Sequence, residues 1–232
     1  MIVRGYKKYL GMKARHALIL LYLLNFLPVC SQKISNVQDP AAEPYLNSLS
    51  QLLDPKKVFQ VKFKYEIESK TEGVKMNDNG SVIVKGQKYK LILDESEMLY
   101  NGEKLWVYNK TNAEVYLSSP KENNVDQMIL DPFRLLSRYK EFYKYRLKDD
   151  LIINNISYVH LELYPENLET SYSILRIYIN KKNNQLYSLE LQQKNGIFYR
   201  IFVNEIQNNI KADDSEFTWN SSLHPDVLEI EM

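Results

Sequence analysis

NGSVIVKGQKYKLILDESEMLYNGEKLWVYNKTNAEVYL, residues 79–117, reads as short strands separated by tight turns. Val82 and Val84, then Tyr89, Leu91 and Leu93, then Leu105 and Val107, then Val115 and Leu117 recur at every second position. That period is the pleat of a strand with one buried face. Gly80, Gly86 and Asn101-Gly102 punctuate the runs, and Asn-Gly between two alternating segments is a strong hairpin signal. The spacing predicts a meander of antiparallel strands sharing one apolar face. What that face touches, a packed core or a ligand, is left open by the periodicity.

Working outward, residues 58–69 (VFQVKFKYEIES) set Phe59, Val61, Phe63, Tyr65 and Ile67 against Gln60, Lys62, Lys64, Glu66 and Glu68. One face is greasy and the other charged, as in a strand on the surface of a core. Before it, Tyr45, Leu46, Leu49, Leu52 and Leu53 fall at helical spacing, with Pro44 opening a short amphipathic helix and Asp54-Pro55 closing it. After the meander, residues 126–143 lose the alternation and read as helical segments broken near Asp131-Pro132. Strands then resume at 145–147, 157–163, 173–179, 185–193 and 196–206, separated by turn signals such as Asn154-Asn155 and Asn195-Gly196. Strands in succession with close turns imply a mainly β fold with some α (α+β), its antiparallel sheet strongly curved or partly closed into a barrel.

The chain has 232 residues, with 44% hydrophobic and 25% charged, which suits one globular domain with a sizeable core. A basic segment precedes the apolar run 17–24, too short to span a bilayer, and the pair fits a secretory signal over residues 1–31. Met12 is an alternative start, and a retained membrane anchor is the rival reading. The first 31 residues hold five of the 30 basic side chains (Arg4, Lys7, Lys8, Lys13, Arg15) and none of the 29 acidic ones. The remainder therefore carries 25 against 29, a net −4. A mildly acidic body of mixed sign argues against nucleic acid as partner. The one cysteine, Cys30, ends the signal. Either the chain is cut after Ser31 and released, or Cys30 becomes a lipid-modified first residue and anchors it. Residues 32–42 are polar and read as a flexible leader, leaving 43–232 as the folded domain.

Little in the sequence offers catalytic chemistry. His160 lies mid-strand on a polar face and His224 sits in a loop before Pro225, which makes neither a metal cluster nor a nucleophile–base pair. Glu66, Glu68 and Glu162 fall on faces expected to be exposed, where no pocket would tune them. Phosphate-binding glycine loops are absent. Trp106 and Tyr108 fall opposite Leu105 and Val107, interleaved with lysines but also with acids, so base stacking is not expected. No catalytic residue, cofactor or metal is expected. The broad apolar face remains. A curved sheet of this many strands encloses more volume than two short helices fill, and its Phe, Tyr, Leu and Met suit a pliable apolar cavity.

The motifs together resemble the periplasmic carrier family that ferries lipoproteins to the outer membrane of Gram-negative bacteria (LolA-like). Residues 80–85, GSVIVK, match that family's G-x-apolar-x-V-K strand, and residues 101–109, NGEKLWVYN, its D-G-x-x-L-W-x-Y-N hairpin. Residues 59–63 look like its first strand, 132–136 (PFRLL) like the helix after the first meander, and Phe217-Thr218-Trp219 like its late F-x-F strand. The resemblance covers about residues 42–232. It implies an open, unclosed antiparallel β-barrel with a helical lid, whose cavity holds lipoprotein acyl chains without covalent chemistry. On that reading the cavity wall is Phe59, Val61, Phe63, Tyr65, Val82, Val84, Leu91, Leu93, Leu105 and Val107. Met128, Ile129, Phe133 and Leu136 would form the lid. The implied place is the periplasm. The implied partners are acylated lipoproteins, an inner-membrane lipoprotein-releasing ABC transporter complex and an outer-membrane acceptor. A membrane-anchored acceptor (LolB-like) or an envelope lipid-binding or sensor domain is the alternative. One position departs from the pattern. Where well-studied members follow the first lysine with an arginine that bonds the lid and then a proline, this chain has Gly86 and Gln87. Lys85, Lys88 and Arg134 are the residues that would take over that contact.

Overall fold

The computed structural model describes residues 38–54, 56–119 and 136–232. Its frame is one sheet of twelve strands in the order β12-β6-β5-β4-β3-β2-β1-β11-β10-β9-β8-β7. The first meander is β1 (Phe59–Ser69), β2 (Val74–Lys85), β3 (Lys88–Leu93), β4 (Ser96–Tyr100), β5 (Leu105–Asn109) and β6 (Glu114–Ser118). The second is β7 (Tyr143–Ile153), β8 (Ile156–Pro165), β9 (Tyr172–Asn180), β10 (Gln185–Gln193) and β11 (Ile197–Asn208). A short β12 (Leu228–Glu231) runs parallel to β6. The ends of the sheet, β12 and β7, are not paired, so the barrel is open as expected. No helix among the described residues is long and apolar enough to cross a membrane.

β1 joins the two halves. It pairs antiparallel with β2 along its whole length and with β11 on its other side, Phe59 opposite Asn208 and Ser69 opposite Ile197. A bulge between Lys62 and Phe63 turns the register of the β11 ladder. A bulge strengthens local twist, which helps a wide sheet to curl.

The inner face carries a single apolar cluster from β5 to β7. Leu46 and Leu49 of helix α1 (Glu43–Leu52), with Leu53 just beyond it, are buried in that cluster. Pro44 lies in the first turn of α1, where its missing N–H costs nothing, and Glu43 there suits the positive helix end. The helix is fastened to β7. Asp39 donates its N–H to the Tyr145 carbonyl at 3.0 Å and accepts from the Leu147 N–H at 3.0 Å. Tyr145 donates to Glu43 at 3.1 Å, and Tyr139 of the one-turn helix α2 (Tyr139–Phe142) donates to Asn47 at 2.9 Å. Residues 38–42, read from composition as flexible leader, are therefore tied to the sheet, with Ala42 fully buried. Tyr143, read as the end of a helical stretch, begins β7 instead.

The outer face of the second half carries a ladder of alternating charge. Arg146, Glu162, Arg176, Glu190 and Arg200 stand directly opposite one another across β7 to β11. Consecutive members meet at 3.0, 3.5, 2.7 and 2.6 Å, and Arg200 reaches Glu68 of β1 at 2.5 Å. Glu162, expected on an exposed face, is buried at 7% exposure, because flanking long side chains close over it. Burial pushes its pKa up, but hydrogen bonds from Tyr164 and Arg146 and the charges of Arg146 and Lys148 outweigh that and hold it below the usual value. A lowered folded value means the stabilisation is present above the unfolded pKa near 4.5 and is lost as pH falls through the folded one. Glu162→Gln should cost roughly 2–3 kcal/mol at neutral pH in urea denaturation, reduced from a fully buried pair because Arg146 is half exposed. The deficit relative to the unaltered protein should shrink as the pH falls below 4.5.

Candidate functional site

The register places all ten predicted wall residues on the inner face and in one cluster. They form rows across the strands. Phe59, Val84, Tyr89, Tyr100 and Leu105 make one, and Val61, Val82, Leu91, Met98 and Val107 the next. Phe63, Gly80 and Leu93 make a third, and Tyr65 stands opposite Asp78 in a fourth. Burial declines along this series. In the first row Phe59 and Val84 are fully buried, in the second Val107 and Met98 are half-buried, and Leu93 and Tyr65 in the last two are half-buried as well. The apolar face therefore opens to water at the Tyr65 end.

An open cleft of about 580 Å³ lies beside Gly80, lined by Phe63, Gly80 and Leu93 of the inner-face row and by Lys62, Ser81 and Ile92 of the neighbouring outer-face row. Phe63, Gly80 and Leu93 give it an apolar floor, and Asp78, Asp94, Lys62 and Lys110 stand around it. Burial raises the Tyr65 phenol above its ordinary range, and the nearby charges of Asp78, Asp94 and Glu95 add to that. Gly80, read as turn punctuation, sits within β2. A Cβ there would lie 2.7 Å from the Phe63 ring and 2.9 Å from Leu93, so its absence lets the ring approach the strand closely. Gly86 has the turn role, at φ +61 in the two-residue connection between β2 and β3.

Sequence reasoning restricted the wall to the first meander, whereas the same cluster runs on through Leu161, Leu163, Leu175, Ile177 and Leu189 of the second. Met98 and Tyr100 were also missed, because β4 is only five residues long and too short to show its period. Of the expected lid, Leu136 is buried in the inner cluster, whereas Met128, Ile129 and Phe133 lie outside the described residues.

Val115 and Leu117 correct the expectation of a single shared face. Val115 stands opposite Tyr108 and Leu117 opposite Trp106, so both point outward. There a second cluster forms from Leu99, Trp106, Val115 and Trp219. Trp106, expected at the surface, is buried beneath the C-terminal segment. The Trp219 ring stacks on His224, with centroids 4.2 Å apart, and packs against Tyr108 at 4.9 Å. Phe217 ends a 3₁₀ turn (Asp214–Phe217) rather than lying in a strand.

That turn is also where the two candidate lysines go. Lys85 and Lys88 reach the two carboxylate oxygens of Asp214 at 2.9 and 2.7 Å, and Lys85 donates to the Ala212 carbonyl at 2.8 Å. They hold the C-terminal segment. Arg134 lies outside the described residues. His160 stacks on Tyr178 at 4.9 Å on the outer face, and burial lowers its pKa. Among the described residues no group of three His, Cys, Asp or Glu is placed to hold a metal ion.

The family model for the outer membrane lipoprotein carrier protein LolA matches residues 56–220. The chain belongs to the LolA family. The matched span runs from the residues before β1 to the Trp219 segment, and so takes in both meanders and the apolar inner face. No curated relative matches the sequence. Among solved structures, a LolA superfamily protein from Nitrosomonas europaea is 16% identical, with 77% of this chain and 97% of that one covered at a TM-score of 0.42. A DUF1329 family protein from Desulfovibrio piger is also 16% identical, covering 80% and 99% at 0.47. A putative outer membrane lipoprotein-sorting protein domain from Vibrio parahaemolyticus is 10% identical, covering 78% and 96% at 0.44.

The Asp214 clamp makes a direct prediction for this LolA-family chain. Hydrogen bonds from Lys88 and Lys85 hold the Asp214 carboxyl down at about 2, so the clamp should stay closed above its unfolded value of 3.8 and release as pH falls through about 2. In Lys88→Met, carboxyl NMR titration should show Asp214 moving up toward 3.8. The Trp219 signal should then change at a correspondingly higher pH.

Proposed function

We propose that this protein is a periplasmic carrier that takes the acyl chains of lipoproteins onto the inner apolar face of its sheet. Its role would be to move them from the inner to the outer membrane. The observation that carries this reading is the inner face itself: one unbroken apolar cluster on an unclosed sheet, with burial falling toward Tyr65. The family model's description, an outer membrane lipoprotein carrier, supports it. Binding, not catalysis, is the activity.

The physical requirement is modest. Each methylene kept from water is worth ~0.8 kcal/mol, so about ten are enough to retain a lipid through an aqueous compartment. Phe59, Val61, Val82, Val84, Leu91 and Leu105 form the deep wall, and Phe63, Tyr65, Leu93 and Val107 the more open part. Met128, Ile129, Phe133 and Leu136 act as lid. An inner-membrane releasing complex of the ABC type supplies the cargo and an outer-membrane acceptor receives it. Release is a population shift between closed and loaded forms, driven by the receiver's differential affinity. Export would come from the signal over residues 1–31.

The half-buried positions give the cleanest test, since a carboxylate there does not enter the packed part of the core. Leu93→Glu and Val107→Glu should each lower retention of a triacylated lipoprotein by about tenfold or more, while circular dichroism and the melting temperature stay close to those of the unaltered protein. The assay is solubilisation of lipoprotein from detergent dilution. If both variants hold lipoprotein as the parent does, the inner face is not the acyl site. The mass of the exported chain separates the free carrier from an anchored acceptor: a first residue Gln32 excludes lipid on Cys30.

A further inference from the structure

The tip of the β7–β8 hairpin carries side chains that a water-facing turn has no use for. Ile152 is 70% exposed, Ile156 40% and Leu151 37%. Ile153, opposite Ile156, is half-buried. Single exposed apolar residues are ordinary, but here four of the six residues 151–156 are large and aliphatic, which makes a patch. The connection between the strands is Asn154-Asn155 alone, both at positive φ (50 and 62), a two-residue turn that keeps the tip short and stiff. β7 is the end strand of the sheet, so the tip stands at the open edge.

The charges around it are not symmetric. Successive hairpins alternate between the two ends of an antiparallel sheet, so the β7–β8, β9–β10 and β4–β5 turns and the lead-in to β1 share one end. That end exposes Lys57, Lys104, Lys181 and Lys182. Lys181 is beside the tip: its N–H donates to the Ser157 carbonyl at 3.0 Å and its ammonium meets Asp150 at 2.6 Å. Glu103, Asp149 and, where the chain leaves β11, Asp213 are the exposed acids at this end besides Asp150 and Asp214, which are paired with lysines. The opposite end exposes Glu72, Asp94, Glu95, Glu166 and Glu169 against Lys70, whose ammonium lies over the Phe198 ring at 4.5 Å. Its Lys110 and Lys194 are turned onto backbone carbonyls of residues 93, 94 and 168.

A stiff aliphatic tip with lysines beside it is the chemistry of interfacial membrane binding. Aliphatic side chains enter the boundary between headgroups and acyl chains while ammonium groups remain among the phosphates. A protein partner fits less well, since the tip is convex and has none of the Trp, Tyr or Arg that anchor protein interfaces. We propose that the β7–β8 hairpin tip, with Lys181 and Lys182 beside it, docks this protein on the surface of an anionic phospholipid bilayer. The docking does not depend on acyl binding by the inner face.

Vesicle flotation of the purified full chain tests this, with phosphatidylcholine vesicles set against phosphatidylcholine vesicles that contain phosphatidylglycerol. The chain should float with the anionic vesicles, less so as salt rises. Ile152→Asp should lower the partition by about tenfold or more, and Lys181→Glu with Lys182→Glu should remove the preference for anionic lipid. Ile152 is mostly exposed, so its variant should melt with the parent and retain lipoprotein as well as the parent does. Leu93→Glu should float normally, which separates docking from the acyl site. A dye on Ile152→Cys, in a Cys30→Ser background, should shift to the blue on anionic vesicles. Equal flotation of Ile152→Asp and the parent, or an unshifted dye, overturns the proposal. So does flotation lost only in Leu93→Glu.

Discussion

The pairing of β1 with β11 is the constraint on which the rest of the molecule depends. It brings Phe59 opposite Asn208 and so welds two meanders, each built from local hairpins, into one sheet. Without it neither half has an inner face broad enough to bury its apolar residues, since β1 supplies Phe59, Val61 and Phe63 to the cluster that both halves share. Contacts this distant in sequence require a large loop to close before they return any stabilisation. The charge ladder that crosses β7 to β11 and ends on Glu68 of β1 holds the same seam from the outer side. One interaction row thus sets the register, and register decides which side chains face inward.

An unclosed sheet with a single broad apolar face must cover that face with something. A sandwich uses a second sheet for the purpose. Here the described cover is a ten-residue helix that buries Leu46 and Leu49 in the inner cluster and is fastened by polar contacts to one end strand. Tyr145 shows how firmly the join is made: burial, with the Glu43 hydrogen bond behind it, pushes its phenol up to about 12. The outer face of the first meander is treated differently, since the C-terminal segment covers it with Trp219 and is locked by Lys85 and Lys88 on Asp214. The two faces are therefore covered differently, one by the chain's own tail and the other by α1, with burial falling toward Tyr65.

Much of this was legible in the residues. Alternation in 59–67 and 82–107 marked the inner face correctly, and Asn101-Gly102 and Asn154-Asn155 marked turns where the structure has them. The failures have a common cause. Alternation says that a strand has two different faces, but not which one meets the core when both are covered. Trp106, Val115 and Leu117 looked like surface or inner-face residues because the segment that buries them lies about a hundred residues downstream. Gly80 looked like a turn because only its partner Phe63, across the β1–β2 ladder, shows why a missing Cβ matters. Glu162 looked exposed because its arginine partners come from neighbouring strands. Where the family's pattern has its arginine, Gly86 occupies a left-handed turn position, at φ +61, where a larger side chain is strained.

Photocrosslinking in living cells tests the central claim most directly. A benzophenone amino acid at Leu93 stands on the half-buried part of the inner apolar face. Irradiation followed by mass spectrometry should recover this chain joined to acylated amino-terminal cysteine peptides or their acyl chains. The same probe at Glu103, exposed in the β4–β5 turn, should give none. Crosslinks from Leu93 confined to this chain's own residues, with no acyl-bearing adduct, would contradict the account.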